Sequence, residues 1–194
     1  MFRTIKPEIR ILGWDDSPFK INDKYANVFG TIFRGGAWID GLLKTRIKVD
    51  GSDATKKIIK CVNKTRHYEQ LRVIMIDGIT MAGFNVLDIK ELFEKTQIPV
   101  IAISRKLPDF RKIRAALNNF SDGKKRWELI KKAGTPKPCA IRGERIYYQA
   151  AGIDDSNAKR IITLSCTRSL IPEPLRVAHL IASGVSTGES YGRA

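Results

Sequence analysis

Cysteine is scarce in this chain. Cys61, Cys139 and Cys166 are all there is among 194 residues, an odd number at wide spacing. No CxxC pair and no Cys–His zinc spacing occurs, so a disulfide or zinc scaffold is not expected, and a reducing compartment is. Histidine is scarcer still, with His67 and His179 alone. No Ser–His–Asp or Cys–His arrangement is readable, and no GxxxxGK[ST] phosphate loop is present. No apolar run approaches membrane-spanning length, and the opening MFRTIKPEIRILGW lacks the apolar stretch of a signal peptide, so no membrane association and a cytoplasmic location are expected. Acidic residues are outnumbered, 20 against 35 Lys and Arg, for a net charge of +15. A charge of that size describes partners rather than fold, and nucleic acid is the partner it suits best.

What is present supports one folded domain over 1–194. The hydrophobic fraction of 43% is enough for a core, and no low-complexity linker or repeat divides the chain. EIRILGW (8–14), NVFGTIF (27–33) and WIDGLLKTRIKV (38–49) read as strands joined by short links, an antiparallel meander, with a possible break at Gly41. The period then changes. DATKKIIKCVNK (53–64) has helical spacing, with Ser52 or Asp53 as its N-cap, and NVLDIKELFEKT (85–96) places Val86, Ile89, Leu92 and Phe93 on one helical face. Between and after them, LRVIMID (71–77) and IPVIAIS (98–104) are buried β-branched strands. Strand–helix–strand alternation implies parallel pairing with right-handed crossovers. Helices are expected around 109–118, 121–132, 155–166 and 172–184, the last ending at Gly184, with short strands over 138–142 and 145–152.

Three carboxylates stand at the ends of apolar strands: Asp15, Asp50 and Asp77. Ligands of parallel α/β sheets bind beyond the carboxyl ends of the strands. If the first and fourth strands are neighbours, Asp15 and Asp77 lie side by side and repel unless a cation sits between them. Mg²⁺ or Mn²⁺ favours such hard oxygen donors. Beside a basic surface, that cluster suggests metal-assisted phosphodiester hydrolysis. A turn role competes at Asp40-Gly41, Asp50-Gly51 and Asp77-Gly78, because Asp-Gly is a common turn pair. Asp16 is a spare ligand or the start of a turn. His179, one helical turn past Leu175, reads first as a packing histidine.

The tripeptide DDS occurs again at 154–156, where it opens a helix, so Asp154 or Asp155 is expected to cap it. From residue 105 the chain turns basic. Arg105, Lys106, Arg111, Lys112, Arg114, Lys124, Lys125 and Arg126 are opposed by few acids and form the candidate nucleic-acid surface.

ILGWDDS, VDGSDATKKI, VIMIDGITMAGFNVLD and IPVIAISRK, in this order, resemble endonuclease V. GWDDSPF, FRGGAWIDG and IPEPLRVAHLIA are similar to a mainly archaeal family called domain of unknown function ninety-nine, a relative of endonuclease V. The resemblance implies an RNase H-like α/β fold: a mixed sheet of three antiparallel and then parallel strands, with helices on both faces. It implies a divalent-metal-dependent nuclease for structured or deaminated nucleic acid, with Asp15, Asp50 and Asp77 as metal ligands and Arg105 as the basic residue at the site. It also marks departures. Residues 39–49 carry no Tyr- and Pro-containing wedge, Ile79 follows Gly78 where the enzyme has His, and Glu173 and Arg176 stand as substitutes for a late histidine. Two other outcomes fit the same residues: a non-catalytic nucleic-acid-binding module, and a metal-dependent phosphoesterase for small nucleotides.

Overall fold

A computed structural model of the chain describes residues 4–20 and 22–191. Three strands come first, β1 (Arg10–Asp16), β2 (Tyr25–Arg34) and β3 (Trp38–Lys48), paired antiparallel as a meander. Then follow α1 (Ala54–Lys64), β4 (Val73–Asp77), a small hairpin of β5 (Thr80–Met81) and β6 (Asn85–Val86), α2 (Ile89–Thr96) and β7 (Val100–Ser104). The chain continues through α3 (Phe110–Leu117), α4 (Gly123–Lys132), β8 (Lys137–Ile141), β9 (Glu144–Ala151), α5 (Asp155–Ser165) and α6 (Glu173–Thr187). Among the described residues the main sheet has seven strands in the order β3-β2-β1-β4-β7-β9-β8, with β1, β4 and β7 parallel and β9 and β8 antiparallel.

Side chains of successive strand residues face opposite sides of the sheet, and each side has its own core. Leu12, Trp14, Ile74 and Ile76 pack against α1 and α2 with Ile58 and Leu92. Ile11, Val73 and Met75 pack on the other side with Ile161, Ile162 and Leu175 of α5 and α6. Helices on both faces follow from central strands, β4 and β7 above all, whose interior positions are apolar on both sides.

Several sequence expectations shift at their edges. β1 runs through Asp16, so both aspartates belong to the strand. The irregularity expected at Gly41 is a bulge: Ile32 pairs with Gly41 and Phe33 with Ile39, which leaves Asp40 unpaired and held by Arg10 at 2.9 Å and Arg34 at 2.8 Å. Asp53 occupies the N-cap position of α1 without capping it; its Oδ1 accepts instead from the Lys48 N–H and the Asn85 amide. The expected helix over 85–96 begins only at Ile89, because Asn85 and Val86 pair in the hairpin and Asp88 caps the helix through Lys90 and Glu91. α6 passes through Gly184 and ends at Gly188, whose φ of 85° is the left-handed conformation glycine tolerates. Residues 185–187, past the expected end at Gly184, are therefore helical; 192–194 lie outside the described residues.

Candidate functional site

Parallel pairing of β1 with β4 aligns Trp14 with Ile76, so the next residues, Asp15 and Asp77, end adjacent strands on the same side of the sheet. That side is covered by α6. Its close approach depends on Gly13, where a Cβ would lie 2.5 Å from the Pro174 carbonyl carbon and 2.8 Å from the Leu175 nitrogen. A glycine inside a strand often marks such an approach. With α6 this near, His179 Nδ1 stands 2.9 Å from Asp15 Oδ2. Facing a carboxylate oxygen, Nδ1 is placed to donate. His179 Nε2 lies 3.3 Å from the Tyr191 carbonyl, also an acceptor. Two acceptors favour the doubly protonated ring, and the hydrogen bond to Asp15 raises the histidine's affinity for protons.

The carboxylates respond in the same sense. Burial, then the charge of Asp15, pushes Asp16 up to about 6. Burial, then Asp15 and Asp16, pushes Asp77 up to about 7, against the opposing influence of His179 and Arg105. Asp16 faces the opposite side of β1 and accepts from the Ala82 N–H at 2.9 Å. Among the described residues, no three His, Cys, Asp or Glu side chains already converge as a metal cage. Adjacent, mutually repelling carboxylates are nevertheless the donor set that suits a hard divalent cation keeping most of its waters.

Asp50 is placed differently. Its φ of 52° puts it in a left-handed turn, and its Oδ1 accepts from the Phe84 N–H at 2.7 Å while its own N–H donates to the Ala82 carbonyl. It thus grips the β5–β6 hairpin, and Ala82 joins it to Asp16. Asp50 Oδ2 makes no hydrogen bond among the described residues.

Arg105 is half-buried just after β7 and acts electrostatically on Asp77. Lys106, Arg111, Lys112, Arg114, Lys124 and Lys125 are exposed. Arg126 departs from the expected surface role. It is only 8% exposed, stacks on Phe120, and donates to Asp122, to the Phe84 carbonyl at 2.6 Å and to the Asp50 carbonyl at 2.7 Å. Its guanidinium is spent holding the hairpin and Asp50 in place. Glu173 and Arg176 are likewise bound to each other, at 2.7 Å. The last-helix side chain that reaches Asp15 is His179, for which the sequence favoured packing and left a contribution to the site open. The signals for it were Gly13 in the strand and the distance from Leu175, and they become a contact only when α6 is docked.

Beside Asp77 lies a cavity of about 150 Å³, walled by Gly78, Thr80, Phe84, Ser104, Phe110 and Gln149 among others.

The family described as Endonuclease dU matches residues 7–186. A UPF0215 protein of Methanosarcina mazei is 55% identical over 192 residues, covering 98% of this chain and 97% of its own. A solved protein from Archaeoglobus fulgidus superposes with a TM-score of 0.82 at 36% identity, covering 91% of this chain and 97% of that one. Endonuclease V of Ciona intestinalis, solved with a 24mer DNA containing an inosine followed by a ribo-adenosine, has a TM-score of 0.59 at 16% identity and covers 87% of this chain and 82% of that one. At that identity the likeness concerns the fold, which is RNase H-like.

Proposed function

The chain belongs to the endonuclease dU family, and from that premise we propose that it is a divalent-metal-dependent endonuclease that cuts nucleic acid beside a deaminated base, with dU in DNA as the first substrate to try. The observation that supports this most directly is the pairing of Asp15 with Asp77 on one side of the sheet, with His179 2.9 Å from Asp15. Asp15 and Asp77 would hold Mg²⁺ or Mn²⁺, and Asp50 is the candidate third donor through Oδ2. A cation held there would supply water activation and charge neutralisation at the phosphate and the leaving oxygen.

The chain's own groups supply the rest. His179, kept protonated by Asp15, delivers a proton from Nε2 to the departing oxygen once the Tyr191 carbonyl gives way. Arg105 and Lys106 bind the phosphate. Arg111, Lys112, Arg114, Lys124 and Lys125 hold the flanking backbone, whereas Arg126 braces the hairpin. The cavity beside Asp77 takes the unstacked base: Phe84 and Phe110 offer apolar walls, and Thr80, Ser104 and Gln149 offer polar edges.

The test is strand cleavage of DNA and RNA oligonucleotides carrying dU, inosine or neither, in Mg²⁺, Mn²⁺ or chelator, with Asp77→Asn alongside. Metal-dependent cutting that Asp77→Asn loses supports the enzyme. Binding without cutting in every arm overturns it in favour of a non-catalytic module.

A further inference from the structure

The basic stretch after β7 is not the largest run of unopposed charge on the molecule. α1 reads ATKKIIKCVNK, with no acidic residue from Ala54 to Lys64. Its inner side buries Ala54, Thr55, Ile58 and Val62, and this turns Lys57, Lys60 and Lys64 outward along one flank. That flank faces edge strand β3, and between them runs a groove of about 370 Å³ lined by Leu43, Lys44, Lys57, Lys60 and Lys64 among others, without a carboxylate. Among the described residues none of these four lysines makes an ion pair, although lysines elsewhere, such as Lys131, Lys132 and Lys137, do. Four ammonium groups around one groove repel each other, so the arrangement favours a polyanion in the groove over an empty one.

Position adds to the charge. α1 starts at the hairpin, where the Ala54 N–H donates to the Asn85 side chain at 3.1 Å. α4 reaches the same hairpin through Arg126 on the Phe84 carbonyl. In the sheet, β3 lies at the edge two strands from β1, while α3 and α4 follow β7, next to β4. In strand order, the carboxylates of β1 and β4 thus fall between the elements that carry the two basic surfaces. Lys57 to Lys64 rise about 10 Å along the helix, which matches about three phosphates of a duplex strand.

We propose that the β3–α1 groove is a second nucleic-acid backbone site, which holds the flank of the substrate opposite to the one on α3 and α4, so that the strand crosses the carboxylates between them. This rests on the nuclease reading of the site. Leu43 lines the groove with the lysines, whose ammonium groups take phosphates without reading sequence.

The experiment uses the full chain in chelator, so that nothing is cut, and a labelled dU-containing oligonucleotide long enough to reach both surfaces, single-stranded and duplex. Binding is titrated against salt for wild type, for Lys57→Gln/Lys60→Gln/Lys64→Gln, and for a charge-matched control on the far side of the molecule, Arg145→Gln/Lys159→Gln/Arg160→Gln. The α1 variant should lower the slope of log affinity on log salt by about 3 for duplex or about 2 for single strands, whichever form the groove holds. The control should leave the slope unchanged. Bound oligonucleotide should also protect Lys57, Lys60 and Lys64 of the wild type from acylation, a readout that needs no substitution. Equal slopes in all three proteins, or equal losses in the variant and the control, overturn the groove while leaving the nuclease reading in place. Absence of any wild-type binding overturns both.

Discussion

The tripeptide Asp-Asp-Ser occurs at 15–17 and at 154–156, and the two copies have opposite physics. Asp15 is 5% exposed and Asp16 half-buried at the end of a central strand, where burial and mutual repulsion push Asp16 up to about 6. Asp154 and Asp155 are exposed at the start of α5. Asp154 accepts from the Asn157 N–H at 2.9 Å, Asp155 pairs with Lys137 at 2.7 Å, and both are held below the usual carboxylate range by these partners. In the first pair Asp15 meets His179 while Asp16 accepts from the backbone N–H of Ala82, whereas the second pair is held by Asn157 and Lys137. Identical residues become a buried, mutually repelling pair or a helix cap according to which strand or helix carries them.

The comparison breaks most sharply in activity. Asp15→Asn or Asp77→Asn should lower cleavage by roughly 10³-fold or more, while Asp154→Asn and Asp155→Asn leave the rate within about twofold, as read by single-turnover assays on one substrate. His179→Ala should cost on the order of 10²-fold, the range of a lost proton donor.

Next in size is the pH dependence of folding, where the two pairs have opposite signs. Asp16 and Asp77 have raised proton affinities, to about 6 and about 7, so the metal-free fold binds more protons than the unfolded chain. Their contribution is least unfavourable below roughly pH 4 and worsens as pH rises toward 7, reaching a few kcal/mol above it. Asp154 and Asp155 have lowered affinities, so their contribution is present above roughly pH 4 and is lost as pH falls. Urea unfolding in chelator should therefore show Asp77→Asn more stable than wild type at pH 8 and equal to it near pH 4. Mg²⁺ at pH 8 should stabilise wild type and leave the variant nearly unchanged; a variant that responds as wild type does would remove Asp77 from the ligand set.

Gly13→Ala tests how the first pair gains its histidine. The added methyl meets the Pro174–Leu175 backbone, and such overpacking costs about 1–3 kcal/mol. It should also cut activity by moving α6, and a structure of the variant should show His179 displaced from Asp15. The smallest effect belongs to the second pair: Asp154→Ala removes the cap of α5 and should lower the denaturant midpoint slightly, with no loss of cleavage.

Much of the fold was legible because its signals are local. The β-branched runs before Asp77 and Ser104 and the helix after the second Asp-Asp-Ser each depend on neighbours within a few residues. Boundaries failed where a distant group decided them. The start of α2 is set by Asn85, which pairs in a hairpin and binds Lys48, Asp53 and Ala54 far away in sequence. Arg126 read as one more surface cation because nothing nearby in sequence shows that its guanidinium meets Asp50 and Phe84 across the fold.

Hydrophobic period and Asp placement were enough to put Asp15 and Asp77 at strand ends, because alternation and strand length are properties of the chain itself. Which neighbours those ends acquire is a matter of docking. Close approach at Gly13 makes His179 a partner of Asp15, and a turn with φ of 52° aims Asp50 at the hairpin. Contacts across 164 or 34 positions depend on how helices and strands pack, and packing is a sum over the whole core rather than a property of any short stretch.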